Sequence, residues 1–159
     1  MKLLTGLKWA LLAAQIFFLG ACSDSMDGDD NDVMKVSQQN TFDSHNAGQV
    51  CQNCHKSGGS GEGIFAAAGT VYHGNNLDQV YPNVTIHIYT QPNGQGTLVK
   101  TIEVDGRGNF YTTENINWGT GLYPAVSSPM GTIYMNTSID RGNCNSCHDN
   151  VTESHIYAN

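Results

Sequence analysis

Between Gly69 and Thr137 apolar and polar residues alternate with a period of two, the spacing of strands that bury one face. Six short runs carry the pattern: "GTVYH", "YPNVTIHIYT", "TLVKTIEV", "NFYTTE", "GLYPAVSS" and "GTIYMNT". Their Val, Ile, Thr, Tyr and Phe side chains are branched or aromatic, which suits a pleated and half-buried surface. In "NVTIHIYT", Val84, Ile86 and Ile88 fall on one face, and Thr85, His87 and Tyr89 on the other. "QPNGQG" and "VDGRGN" punctuate the runs, and their Asn-Gly and Asp-Gly steps favour hairpins. No stretch of this body sustains a helical period over three turns. The spacing therefore predicts a mainly β fold, a small antiparallel β-sandwich flanked by N- and C-terminal segments. Its expected core is Val71, Val84, Ile86, Ile88, Leu98, Ile102, Val104, Phe110, Leu122 and Ile133.

The pattern changes at the start of the chain. "MKLLTGLKWALLAAQIFFLGAC" has a positive beginning in Lys2 and Lys8, then a short apolar run ending in small residues. That is the form of an export signal, too short for an ordinary membrane-spanning helix. "LGAC" resembles the lipobox of bacterial lipoproteins, in which Cys22 would become the lipidated first residue after residues 1–21 are removed. A plain signal peptide with a chance cysteine is the alternative, but an odd cysteine in an exported chain asks for an explanation. More than one acyl chain on Cys22 would anchor the protein stably to a membrane. "SDSMDGDDNDVM" follows, acidic and short of bulky apolar groups, so residues 22–40 read as a flexible tether and residues 41–159 as one domain. The spaced aspartates lack the flanking helices and closing glutamate of a calcium loop. With a formal net charge of −7 and no basic patch, nucleic acid is not an expected partner.

The remaining cysteines stand in two sets. "GQVCQNCHKS" supplies Cys51, Cys54 and His55; "RGNCNSCHDN" supplies Cys144, Cys147 and His148. Disulfides suit an exported chain, but a bridge inside Cys-x-x-Cys is a short redox-active loop rather than a structural staple. Zinc takes four thiolates from paired knuckles that usually lie close in sequence, and these pairs are far apart. Neither chemistry needs a histidine directly after each pair. Covalent haem does: two thioethers fix the porphyrin, and the next imidazole becomes an axial ligand. The expected cofactors are two c-type haems, held by Cys51, Cys54, Cys144 and Cys147, with His55 and His148 on the irons. Attachment outside the cytoplasm agrees with the export signal.

A second ligand on each iron separates electron transfer from chemistry at an open position. His45 is ten residues before His55, and ten extended residues span roughly 33 Å. His155 is seven residues after His148, with roughly 23 Å of reach. Both can return to the opposite face of an iron, and spacing leaves open which serves which haem. His73, His87, Met130 and Met135 are reserve candidates, methionine ranking below histidine.

"SHNAGQVCQNCHK", "FAAAGTVYH", "VDGRGNFYTTENINW" read as a hairpin, and "RGNCNSCHDN" together resemble a group of bacterial exported cytochromes. In these, a carboxypeptidase-regulatory-like or transthyretin-like β-sandwich is framed by two haem-binding motifs. The resemblance covers residues 41 to about 155. It implies electron carriage, with His45 as an axial ligand; the role of His155 rests on the spacing alone.

The expectation is thus an electron carrier rather than an enzyme, exported and lipid-anchored to a bacterial membrane, the outer one, facing periplasm or cell exterior. Its partners would be redox proteins or other cytochromes, and a homo-oligomer or filament is left open. Two alternatives stand beside it. One is a peroxidase-like enzyme or sensor with one open axial position. The other is a surface-binding sandwich using Tyr89, Tyr111, Trp118 and Tyr123, although aromatic residues in strands more often serve packing.

Overall fold

The computed structural model describes residues 33–159 except Asn75 and Asn150, so the expected export signal and Cys22 lie outside the described residues. Among the described residues ten strands run in order: β1 (Ala67–Thr70), β2 (Tyr72–His73), β3 (Asn76–Val80), β4 (Thr85–Tyr89), β5 (Leu98–Glu103), β6 (Asn109–Thr112), β7 (Tyr123–Ser128), β8 (Gly131–Tyr134), β9 (Gly142–Asn143) and β10 (Tyr157–Ala158). Two single 3-10 turns, Cys51–Asn53 and Cys144–Ser146, are the helical elements among the described residues. The chain is mainly β, as the alternation predicts. No helix of the described residues is long and apolar enough to cross a membrane.

The largest sheet has the order β5-β4-β7-β8 and is antiparallel throughout. Its centre is β4, where Ile86 and Ile88 point inward and His87 lies on the opposite face, as the period of two requires. Ile86 stands opposite Ile102 on one neighbour and Val126 on the other, so three apolar side chains share one layer. The β4–β5 hairpin closes at Asn93 (φ 58°) and Gly94 (φ 71°), while the Gln95 N–H donates to the Pro92 carbonyl at 3.2 Å. Positive φ at both central residues is what the favoured two-residue hairpin turn demands.

The second turn departs from expectation. Strands β5 and β6, on either side of "VDGRGN", belong to different sheets, because β6 pairs with β1 in the order β6-β1-β9. The Asp105 Oδ1 accepts N–H groups from Arg107 (2.9 Å) and Asn109 (3.0 Å), which tightens the turn as the chain passes from one sheet to the other. Leu98 is likewise corrected. It is 47% exposed at the start of edge strand β5, beside the register shift at Ile88/Tyr89, and so lies off the core. Ile133 packs against the core while only partly buried. The other eight expected core residues are buried, and strands of all three sheets contribute to a single cluster. Burying each large aliphatic side chain there contributes roughly 1.5–3 kcal/mol.

Not all pairing is antiparallel. β9 joins β1 in parallel (Ala67↔Gly142), and β10 joins β2 in parallel (Tyr157↔Tyr72), beside the antiparallel β2–β3 pair. The C-terminal chain therefore runs back along the β1–β2 segment in the same direction. At the other end, Val36 bridges Thr112, and the buried Ser37 hydroxyl donates to the Glu103 carbonyl at 2.6 Å. The docked part of the chain thus reaches back past the expected boundary at residue 41. Residues 35–40 lie against the sheets through backbone groups that the acidic composition does not advertise.

Candidate functional site

The two Cys-x-x-Cys-His segments adopt the same local structure. In each a 3-10 turn starts at the first cysteine, and the histidine N–H donates to that cysteine's carbonyl: His55 to Cys51 at 2.9 Å, His148 to Cys144 at 3.0 Å. The second cysteines match in backbone angles, φ −102°, ψ −43° at Cys54 and φ −107°, ψ −40° at Cys147. One short motif therefore sets one turn twice.

Each of these histidines is oriented through one ring nitrogen. His55 Nδ1 lies 2.9 Å from the Glu62 carbonyl, and His148 Nδ1 lies 2.6 Å from the Ser154 carbonyl. A carbonyl only accepts, so both Nδ1 atoms donate and both Nε2 atoms keep a lone pair. That is the tautomer and the outer support a metal-ligating imidazole needs. Phe65 stacks flat on His55 (4.0 Å, 6°), and Tyr111 stacks on Phe65 (5.0 Å). Burial lowers the His55 pKa below its ordinary 6.5, with the Glu62 carbonyl opposing and the His45 and Lys35 charges adding, so the neutral ring is favoured.

Two cavities flank the motifs. The smaller, about 390 Å³, is lined by Cys51, His55 and His45 with Phe65, Asn109 and Tyr111. The larger, about 600 Å³, is lined by Cys144, Cys147, His148 and His155 with an apolar wall that includes Ile86, Phe110, Trp118 and Ile156. Both volumes fall in the range of roughly 300–1,000 Å³ typical of cofactor and ligand sites. His45 and His55 have ring centres 5.8 Å apart. Two imidazoles facing one metal through bonds of about 2 Å would stand about 6 Å apart. His155 stacks on Tyr72 at 4.4 Å, and its buried Nδ1 has no hydrogen-bond partner. A buried nitrogen left so costs roughly 1–3 kcal/mol, which a ligand would offset. Both cavities carry the histidine pair a haem would need; the larger also has both cysteines of its motif, whereas the smaller is lined by Cys51 and not by Cys54.

The reserve candidates fare differently. His73 stacks on Tyr81 at 4.0 Å, His87 sits on the outer face of β4 with Nδ1 3.4 Å from Thr101 Oγ1, and Met130 is 77% exposed. None of the three lines either cavity. Met135 lines the larger one, and Met34, which the sequence reading passes over, lines the smaller. Only the tertiary placement of the docked N-terminal segment brings Met34 there.

Cys51, Cys144 and Cys147 are free thiols, whereas Cys54 is disulfide-bonded. Burial, with the charges of Cys51 and Cys147 adding, pushes the Cys144 thiol up to about 12. It stays protonated near neutral pH, unlike the depressed thiols of redox Cys-x-x-Cys sites. Among the described residues no three His, Cys, Asp or Glu side chains converge as a metal cage would need. An iron already held in a porphyrin asks the protein for two axial ligands. Compared with protein-family models, curated proteins and solved structures, the chain matches none.

Proposed function

We propose that the chain is an electron carrier holding two c-type haems, exported and lipid-anchored through Cys22, with redox proteins or other cytochromes as partners. The observation that carries this reading is the sorting of four histidines into two pairs, His45 with His55 and His148 with His155, one pair to each cavity. When bound, each group supplies one-electron iron chemistry. The chain's own residues do the rest. Cys51 and Cys54, and Cys144 and Cys147, would hold the porphyrin edges by thioethers. His55 and His148 would offer Nε2 from rings pinned by Glu62 and Ser154. His45 and His155 would fill the opposite positions and leave no vacancy for a substrate. A thioether at Cys54 requires that its disulfide first be reduced by an external dithiol, which is itself oxidised to a disulfide. A transthyretin-like sandwich framed by the two motifs remains part of the proposal.

The surface-binding reading loses ground, because Trp118 packs on the core and Tyr111 on Phe65. Intact mass and optical spectra test the choice. The exported protein should exceed its polypeptide and lipid mass by two haems, and both irons should be six-coordinate and low-spin in either oxidation state. His45→Ala should turn one haem high-spin, and His155→Ala the other. A mass lacking haem would sink the proposal; a high-spin iron in the unaltered protein would favour the enzyme.

A further inference from the structure

The two motifs are joined by a reciprocal pair of side-chain hydrogen bonds. Gln52, first residue after Cys51, donates from Nε2 to the Gly142 carbonyl at 3.1 Å. Asn145, first residue after Cys144, donates from Nδ2 to the Gln49 carbonyl at 2.8 Å. In both cases the acceptor lies two residues before the first cysteine of the other motif. The same two carbonyls also face their own thiols, Cys51 Sγ at 3.7 Å from Gln49 O and Cys144 Sγ at 3.4 Å from Gly142 O. The contacts are thus related as if by a two-fold axis passing between the motifs.

Strand β1 is the bar on which both rest. Thr70 Oγ1 accepts from the Gly48 N–H at 2.8 Å and from Asn145 Nδ2 at 3.1 Å, and the Thr70 N–H donates to Asn145 Oδ1 at 3.0 Å. Asn145 is 3% exposed with its polar atoms partnered, so it is fixed rather than resting on the surface. Gly142 permits this approach, since a Cβ there would meet the Ala66 carbonyl oxygen at 2.3 Å.

We propose that Gln52 and Asn145 are positioning residues that lock the two haem-binding motifs into a two-fold-related pair, so that the haems lie side by side as one coupled unit. This rests on the two-haem reading and extends it. Asn145, a buried amide with several partners, holds geometry more tightly than a surface contact would, and Gln52 adds one bond from a partly buried position. The first cysteines, Cys51 and Cys144, would then fix the two neighbouring porphyrin edges.

Electron paramagnetic resonance of the haem-loaded full chain tests it, during stepwise reduction with dithionite. Low-spin ferric iron carries one unpaired electron, and low-spin ferrous iron none. In a pair, each ferric signal is broadened by its neighbour and sharpens once the neighbour is reduced. The line that survives half-reduction should therefore be narrower than the same line in the diferric spectrum, a difference that two independent centres would not show. Gln52→Ala with Asn145→Ala should weaken that difference while mass still shows two haems. Should the double variant fail to load, Gln52→Ala alone, at a half-exposed position, should give a smaller change in the same direction. A parent spectrum that is the plain sum of two independent centres overturns the pairing, and unchanged coupling in a loaded variant overturns the role of the two amides. A parent mass without haem overturns the two-haem reading and this one with it, and so is told apart from a failure of pairing alone.

Discussion

Replacing Gly61 with alanine tests whether His55 is held as the structure describes. A Cβ there would lie 2.8 Å from both Nδ1 and Cε1 of the imidazole and 2.9 Å from Cγ. Carbon contacts are comfortable at about 3.5–4.0 Å, so the ring must retreat by about 0.7 Å or more. Gly61 is not among the positive-φ glycines, so the backbone itself accepts alanine, and the effect falls on the ring. Retreat stretches the 2.9 Å bond from Nδ1 to the Glu62 carbonyl and disturbs the 4.0 Å stack on Phe65. Losing the bond costs about 1 kcal/mol. Disturbing the stack costs about as much again, roughly 1 kcal/mol. A loss of about 2 kcal/mol corresponds to a fall in Tm of about 8 °C for a domain of this size. Calorimetry reads the stability and, with the proposed haem bound, paramagnetic resonance reads the axial field at its iron. Gly58→Ala is the control: no atom lies within 4 Å of its Cβ, but φ is +67°. It should cost about 1 kcal/mol through the backbone alone and leave the iron spectrum untouched. If Gly61→Ala keeps both Tm and spectrum, His55 is not seated against this loop and the orientation argument fails.

Phe65→Ala removes the ring between His55 and Tyr111; at 9% exposure it should cost about 3 kcal/mol, readable as a lowered urea midpoint. Lys100 holds the Glu114 carboxyl below its ordinary 4.5, so the pair's stabilisation is complete above that value and is lost as pH falls through the depressed one. Glu114→Gln should therefore flatten the acid side of the stability profile and leave its slope near neutrality alone; an unchanged acid slope refutes the link. Cys22→Ala should leave the chain unprocessed or free of the membrane fraction, and unchanged partition into detergent would remove the lipid anchor from the proposal.

What the sequence determined by itself is local. The two Cys-x-x-Cys-His turns, the six strand-forming runs and the Asn93-Gly94 hairpin each depend on neighbours a few residues away, so periodicity and turn chemistry expose them. The inward set Val84, Ile86 and Ile88 was legible for the same reason, because side chains alternate along any strand. Other features depended on contacts between distant segments. Leu98 has the apolar character of a core residue, yet an edge position and a register shift leave it exposed. The polar strand β3 and the two-residue strands β9 and β10 exist because a partner strand supplies their hydrogen bonds, not because of any pattern of their own. Spacing ranks His45 and His155 above His73 and His87, and tertiary placement puts the two reserves elsewhere, one against Tyr81 and one on the outer face of β4. The largest such decision is the meeting of the two motifs. Gln52 and Asn145 reach each other's loops because β1 takes β9 as a parallel neighbour. Strand order of that kind is settled by which arrangement closes the shared core and satisfies the backbone, a property of the whole chain that no short window of residues contains.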